Sequence, residues 1–127
     1  NVDIIPLIFY FGAIFWTLGY DTIYGYQDIK DDEIIGVKST SIKFKNNPKK
    51  LLCLCYSITI LSLILIGIFM KFNLIYFIGL IIVTYHLFIF QIKKLDIKQP
   101  NVCLKIFKSN NLLGLLVFLN ILVGKII

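Results

Sequence analysis

Asp21, Tyr24, Asp28 and Asp32 stand at i, i+3, i+7 and i+11, a spacing that puts three carboxylates and a phenol on one face of a helix. Like charges on one stripe repel, so the arrangement calls for a compensating cation. The donors are hard oxygens with no nitrogen or sulfur ligand spaced nearby, which favours Mg²⁺ over a transition metal. Magnesium held by carboxylates keeps open positions for phosphate oxygens, and Lys38 follows as a point charge for the same ligand. The chemistry expected is diphosphate handling, with Asp21, Asp28 and Asp32 as metal ligands and Lys38 against the phosphate. A helix rises roughly 16 Å over eleven residues, so one ion cannot bridge Asp21 and Asp32 directly. Asp21 and Asp28, about 10 Å apart in a regular helix, can flank one diphosphate with a metal at each end. Gly25 and Gly36 can also break the helix and fold the carboxylates closer. A calcium-binding EF-hand loop is excluded on spacing, since no D-x-D-x-D-G run exists. The bland alternative is a solvated acidic loop, which the helical spacing and the tyrosine on the same stripe argue against.

The elements that must position this motif are apolar. Hydrophobic residues make up 58% of the 127, well above a soluble average. Four stretches carry no charge: Ile4–Tyr20, Leu51–Met70, Phe72–Ile92 and Ser109–Gly124, the last long enough if Ile106 and Phe107 extend its start. A spanning helix needs about 20 apolar residues, and none of these stretches has the polar face of a soluble bundle helix. The expected fold is an all-α, polytopic membrane bundle of four transmembrane helices in a single domain over residues 1–127. Five of the seven acidic residues (Asp21, Asp28, Asp31, Asp32 and Glu33) lie between the first two helices.

The net charge of +6 comes from thirteen lysines and no arginine. Eleven fall in two connections, Lys30–Lys50 and Lys93–Lys108, while Lys71 and Lys125 sit at the opposite helix ends. The positive-inside bias then puts the acidic motif on the cytoplasmic side of a bacterial inner membrane, or the matrix side of a mitochondrial one. The lysines line helix ends and suit anionic lipid headgroups in the bilayer; they form no face with stacking aromatics, so nucleic acid is not expected as a partner. Cys53, Cys55 and Cys103 have neither metal nor redox spacing and read as buried free thiols. An apolar helix begins almost at Asn1, without an initiating methionine, which suggests a piece of a longer polytopic protein.

Smaller features carry structural readings. Asp3 and Pro6 suit the start of the first helix, and Gly12 and Gly19 allow close approach of a neighbour. Trp16 reads as an interfacial anchor. Ser57, Thr59 and Ser62 can bond to carbonyls of their own helix. His86 reads as a neutral histidine bonded to a neighbouring helix, Asp96 as a partner for Lys93 or Lys94, and Asn110, Asn111 and Asn120 as amides paired across helices.

The run D-T-I-Y-G-Y-Q-D-I-K-D-D followed by G-V-K-S-T resembles the second aspartate-rich motif of UbiA-type membrane prenyltransferases, and within them the 4-hydroxybenzoate polyprenyltransferases of ubiquinone biosynthesis. Its pattern D-x-x-Y-x-x-x-D-x-x-x-D falls on Asp21, Tyr24, Asp28 and Asp32, and K-S-T on Lys38, Ser39 and Thr40. The run F-K-S-N-N-L-L-G at Phe107–Gly114 also looks like the start of that family's last helix. The family's other motif, of the N-D-x-x-D-x-x-x-D type, has no counterpart here. The resemblance implies the last four helices of a nine-helix fold, with the N-terminal half missing.

It also implies a reaction: transfer of a polyprenyl group from polyprenyl diphosphate to the aromatic ring of 4-hydroxybenzoate. Magnesium on Asp21, Asp28 and Asp32 would neutralise the diphosphate, Lys38 would attract the leaving group, and Tyr24 would hydrogen-bond to that group or steady the allylic cation with its ring. Asp21, Tyr24, Asp28 and Lys38 are thus the expected catalytic residues. The apolar helices would house the isoprenoid and exclude water. Three alternatives stand beside it: another acceptor (haem, a naphthoate, a chlorophyll type), an inactive truncated product, and a fragment of a divalent-cation transporter. The last requires carboxylates at membrane depth.

Overall fold

The computed structural model describes residues 4–26, 36, 40–44 and 46–126. The chain forms α1 (Ile4–Gly25), a short α2 (Thr40–Lys43), α3 (Pro48–Phe69), α4 (Leu74–Tyr85, continuing as a π-helical segment His86–Lys93) and α5 (Pro100–Ile126). No strand occurs among the described residues. Four helices, Ile4–Gly25, Pro48–Phe69, Leu74–Lys93 and Pro100–Lys125, are long and apolar enough to cross a membrane. The expected all-α, four-span bundle is the observed one.

Helix α3 is the central element: 50% of its apolar stretch is buried in the bundle, against 11% for α1. Pro48 starts it at a position where a missing N–H costs nothing. α1 crosses α3 through two glycines. A Cβ at Gly12 would lie 2.7 Å from Ser62 Cβ, and one at Gly19 would lie 2.5 Å from Tyr56 Cε1. Backbone-to-backbone approach of this kind takes the place of the hydrophobic effect, which is absent between helices in lipid. Thr59 uses the same approach, its hydroxyl donating to Gly12 O at 3.3 Å as well as to Cys55 O at 3.0 Å.

The turn between α3 and α4 is tight. Lys71 takes a positive φ of 56°, and Asn73 caps α4 by accepting from the Tyr76 N–H at 3.1 Å. The Asn73 amide also donates to Val123 O at 3.3 Å, tying the end of α5 to the start of α4. Asn120 repeats the tie one turn deeper, donating to Tyr76 O at 3.0 Å. Tyr76 itself is fully buried and donates to Leu63 O at 2.7 Å. Burying a tyrosine body while satisfying its hydroxyl is how the bundle fills its interior without an orphaned polar atom.

Several local expectations change. α5 begins at Pro100, well before Ile106, because Lys105 and Lys108 are exposed and can carry their charges toward water along apolar stems. Asp96 pairs with neither Lys93 nor Lys94; it accepts from the Lys98 N–H and the Gln99 amide at 3.0 Å each, organising the turn before α5. Cys55 and Cys103 are buried, but Cys53 faces outward. Thr59 and Ser62 do bond within α3, Ser62 to Ile58 O at 2.9 Å. Asp3 lies outside the described residues.

Gly19→Val should drive the added side chain into the Tyr56 ring and destabilise the bundle by about 1–3 kcal/mol. Unfolding in mixed micelles by sodium dodecyl sulfate measures this; an unchanged midpoint would show that the helices are not in contact there.

Candidate functional site

The last turns of α1 carry the candidate residues to one end of the bundle. Asp21 and Tyr24 lie three residues apart on α1, both exposed, and the helix stops at Gly25. Gly36 takes a positive φ of 78°, the left-handed conformation glycine adopts at no steric cost. Asp28, Asp32 and Lys38 lie outside the described residues. The chain returns to α1 at Ser41, whose buried hydroxyl donates to Thr22 O at 2.7 Å, one residue from Asp21. Both ends of the acidic segment are thus anchored at the last turn of α1. The starts of α3 and α5 and the end of α4 share this end, as the bond from Lys49 Nζ to Lys93 O at 3.3 Å illustrates.

An aromatic ladder runs up to the carboxylate. Trp16 meets Tyr20 edge-on at 5.4 Å, Tyr20 meets Phe107 of α5 at 5.7 Å, and Phe107 meets Tyr24 at 4.6 Å. The ladder rests on a buried polar network. The Trp16 indole N–H donates to Asn110 Oδ1 at 2.9 Å, which also accepts from Gln91 Nε2 at 2.9 Å. Gln91 Oε1 in turn accepts from the Tyr56 hydroxyl at 2.6 Å, and Gln91 Nε2 lies 3.3 Å from His86 Nδ1. Five side chains from α1, α3, α4 and α5 therefore meet at one point.

This network corrects two expectations. Trp16 is a half-buried member of an inter-helix bond, where an interfacial anchor was expected. His86 bonds to Gln91 of its own helix, where a neighbouring helix was expected. In an α-helix, residues five apart are about 140° apart around the axis. The i→i+5 pattern of the π-helical segment brings them together, and such segments concentrate at functional sites. Gln91, Tyr56 and Phe107 were missed as contributors. The only sequence signal for Gln91 was an uncharged amide inside an apolar run, and its α-helical spacing separates it from His86. Asn110 and Asn120 do pair across helices, whereas Asn111 is exposed and has no hydrogen bond among the described residues.

Among the described residues no three His, Cys, Asp or Glu side chains group to hold a metal. Asp21 supplies one exposed carboxylate, the hard oxygen donor Mg²⁺ takes, and its expected co-ligands Asp28 and Asp32 lie outside the described residues. The one described donor is of a type the ion takes. Apart from Asp21, the one described carboxylate is Asp96 in the α4–α5 connection, so none lies at mid-span. Tyr26, just past α1, packs its ring into the core, and burial first, then the neighbouring Cys103, pushes its phenol up to about 12.

The described residues thus form a helical bundle with four helices able to span a membrane and an exposed aspartate beside an aromatic ladder at one end. The chain belongs to the UbiA prenyltransferase family, which matches residues 1–122. The chain is 43% identical over 118 residues to the mitochondrial 4-hydroxybenzoate polyprenyltransferase of Bos taurus, covering 92% of this chain and 31% of that protein. It is 35% identical over 127 residues to the 4-hydroxybenzoate octaprenyltransferase of Pasteurella multocida, covering 98% and 43%. It is 39% identical over 118 residues to 4-hydroxybenzoate geranyltransferase 2 of Lithospermum erythrorhizon, covering 92% and 38%. The chain thus spans about a third of the length of the relatives it matches. No solved structure matches it.

Asn110→Leu should shift Trp16 emission to shorter wavelength, because the excited indole loses its hydrogen-bonded partner, and should cost about 1–2 kcal/mol of stability. Trp16 is the chain's one tryptophan, so the spectrum reports this site alone. For Tyr26 the folded pKa is raised, from 10.0 to about 12, so its contribution to stability is intact below pH 10 and lost as pH rises to about 12. Tyr26→Phe should abolish that part of the alkaline loss in a pH series of denaturation midpoints; an unchanged pH profile would show that the phenol ionises freely in the folded chain.

Proposed function

We propose that the chain is the C-terminal, diphosphate-handling part of an integral-membrane prenyltransferase acting on 4-hydroxybenzoate. The observation that carries this is the presentation of Asp21 and Tyr24 on the final turns of a spanning helix, in a chain of this family. The names of the three relatives vary in the prenyl group (polyprenyl, octaprenyl, geranyl) and agree on 4-hydroxybenzoate, which supports that acceptor over a haem, naphthoate or chlorophyll-type one. The lysine distribution supports a cytoplasmic or matrix location for Asp21.

In this reading Asp21, Asp28 and Asp32 hold Mg²⁺, and the ion when bound supplies charge neutralisation for the diphosphate. Lys38, three residues before the Ser41 anchor, attracts the departing oxygens. The C–O bond of the polyprenyl diphosphate breaks and its electron pair leaves with the diphosphate. A ring carbon beside the phenol oxygen of the acceptor then bonds to the allylic carbon, and the proton on that ring carbon is lost. The Tyr24 ring, held at 4.6 Å from Phe107, offers a π-face to positive charge developing near Asp21. The spanning helices exclude water, which would otherwise trap the cation. In this reading an N-terminal part of the protein supplies the rest of the site.

The test is magnesium-dependent transfer of a labelled polyprenyl group to 4-hydroxybenzoate, in membranes carrying this chain alone or with the first part of a related enzyme. Product formed with both parts, and reduced at least 100-fold by Asp21→Asn or Asp28→Ala, is the expected outcome, removal of one electrostatic stabiliser typically costing about 10²–10³. Magnesium flux without transfer would overturn the enzyme reading in favour of a transporter.

A further inference from the structure

Helices α3 and α4 run side by side between two bonds. At one end Lys49 Nζ donates to Lys93 O at 3.3 Å; toward the other, the Tyr76 hydroxyl donates to Leu63 O at 2.7 Å. Between them lies a groove of ≈ 440 Å³, with Ile60 and Ile64 of α3 on one side and Phe77, Ile81 and Tyr85 of α4 on the other. We propose that this groove seats an acyl chain of an anionic phospholipid whose phosphate rests on the lysines at the head of the seam. This site is separate from the one argued above and does not depend on it.

The groove suits a flexible hydrocarbon chain. Its volume is roughly three times that of a 150 Å³ cavity that binds benzene, and from Phe77 to Tyr85 it follows α4 for about 12 Å. Thr84, also on its wall, spends its hydroxyl on Leu80 O at 2.8 Å and so asks for no polar partner. Ile81 and Tyr85 are 68% and 64% exposed and belong to neither core cluster, so the described bundle does not fill the groove itself.

Charge decides what kind of chain enters. Lys49, Lys50, Lys93 and Lys94 are all exposed at the head of the seam, and among the described residues none of them pairs with a carboxylate. Asp96 is taken up by the Lys98 N–H and the Gln99 amide, and Asp21 stands on α1. Lys94 does lie over the Phe90 ring at 4.9 Å, a contact that leaves its charge uncompensated. Lysines at a membrane surface attract anionic headgroups, and these four sit together at one rim. Lys49, Cys53, Ile60 and Ile64 share a stripe of α3 at i, i+4, i+11 and i+15, and Cys53 is exposed, so an open path leads from the cations to the groove. Measured along α3 the groove lies about 16–22 Å from Lys49, and half of a bilayer with its headgroups is about 20–22 Å thick. A chain anchored at the lysines therefore ends in the groove. A neutral lipid would leave the lysines unmatched, and a free phosphate would leave the groove empty. The two features together select one molecule with a negative headgroup and a long apolar chain, which the bilayer supplies as its anionic phospholipid.

The test places the full chain in phosphatidylcholine vesicles doped with phosphatidylglycerol that carries a photoactivatable diazirine near the end of one acyl chain. Peptide mass spectrometry then locates the cross-linked residues. The expected result is cross-linking concentrated on residues 60–64 and 77–85, competed by unlabelled phosphatidylglycerol and not by phosphatidylcholine. Lys49→Gln combined with Lys93→Gln should lower that yield at least fivefold, each lysine near the surface being worth about that factor. The pair Lys105→Gln and Lys108→Gln removes the same charge from exposed positions on α5 and should leave the yield unchanged. Equal losses from the two pairs would show diffuse attraction of lipid to charge and overturn the site. Cross-links spread evenly over other exposed apolar residues, such as Leu7 and Leu115, overturn it as well. Stronger competition by a polyprenyl monophosphate than by phosphatidylglycerol overturns the phospholipid assignment, and chain-to-chain dimers with no lipid on the seam give the groove to a second copy.

Discussion

An amide buried between apolar helices has no water to fall back on, so Gln91 and Asn110 must satisfy each other. They do so at a point where α1, α3, α4 and α5 come within hydrogen-bond reach, with Trp16 and Tyr56 completing the set. Each bond of this kind contributes modestly in lipid, but an amide stranded there costs more than any single bond gains. The helices are therefore held in one rotational setting by a penalty against every other. A bundle made only of leucine and isoleucine would have no such preference, because lipid solvates those side chains as well as another helix does.

The rotational setting of α1 is what matters for chemistry. Trp16 is fixed by Asn110, and Tyr20 and Tyr24 follow at successive turns with Phe107 between them. Asp21 sits on this stretch, so its direction is determined by contacts made inside the membrane. The anchor at Ser41 then returns the chain to the same place. Together these contacts place a polar, solvent-facing carboxylate on a rigid support, as the proposed site requires.

Much of the architecture was legible in the sequence because lipid imposes a simple rule: long uncharged runs, broken by Pro48, by the turn at Lys71–Asn73 and by Gly25. The close crossing at Gly12 and Gly19 was also readable, since small residues are what such crossings need. What failed to show was whatever depended on a departure from regular geometry. Lys105 and Lys108 hid the true start of α5, because the flexibility of a lysine stem is invisible to a charge count. The His86–Gln91 pairing could not be read from α-helical spacing, because it exists only in a π-helical segment. Of the candidate site, the Asp21–Tyr24 pairing on one helix was legible, while the ladder through Phe107 was not. That contact joins residues more than eighty apart, and nothing local to either announces the other.

The two ends of the bundle differ in the charge they carry. At the end away from Asp21, neutral amides and a phenol bond to carbonyls: Asn73 to Val123, Asn120 to Tyr76, Tyr76 to Leu63. Bonds between neutral groups are indifferent to dissolved salt. The end bearing Asp21 carries Lys43, Lys49, Lys50, Lys93, Lys94, Lys98, Lys105 and Lys108, whose fields fall off over a Debye length of about 8 Å at physiological salt. Lipid headgroup charge and ionic strength therefore act almost wholly on one membrane face. The composition of the leaflet that bathes Asp21 becomes a control on how crowded that face is with anions, while at the opposite leaflet only Lys71 and Lys125 among the described residues respond to charge.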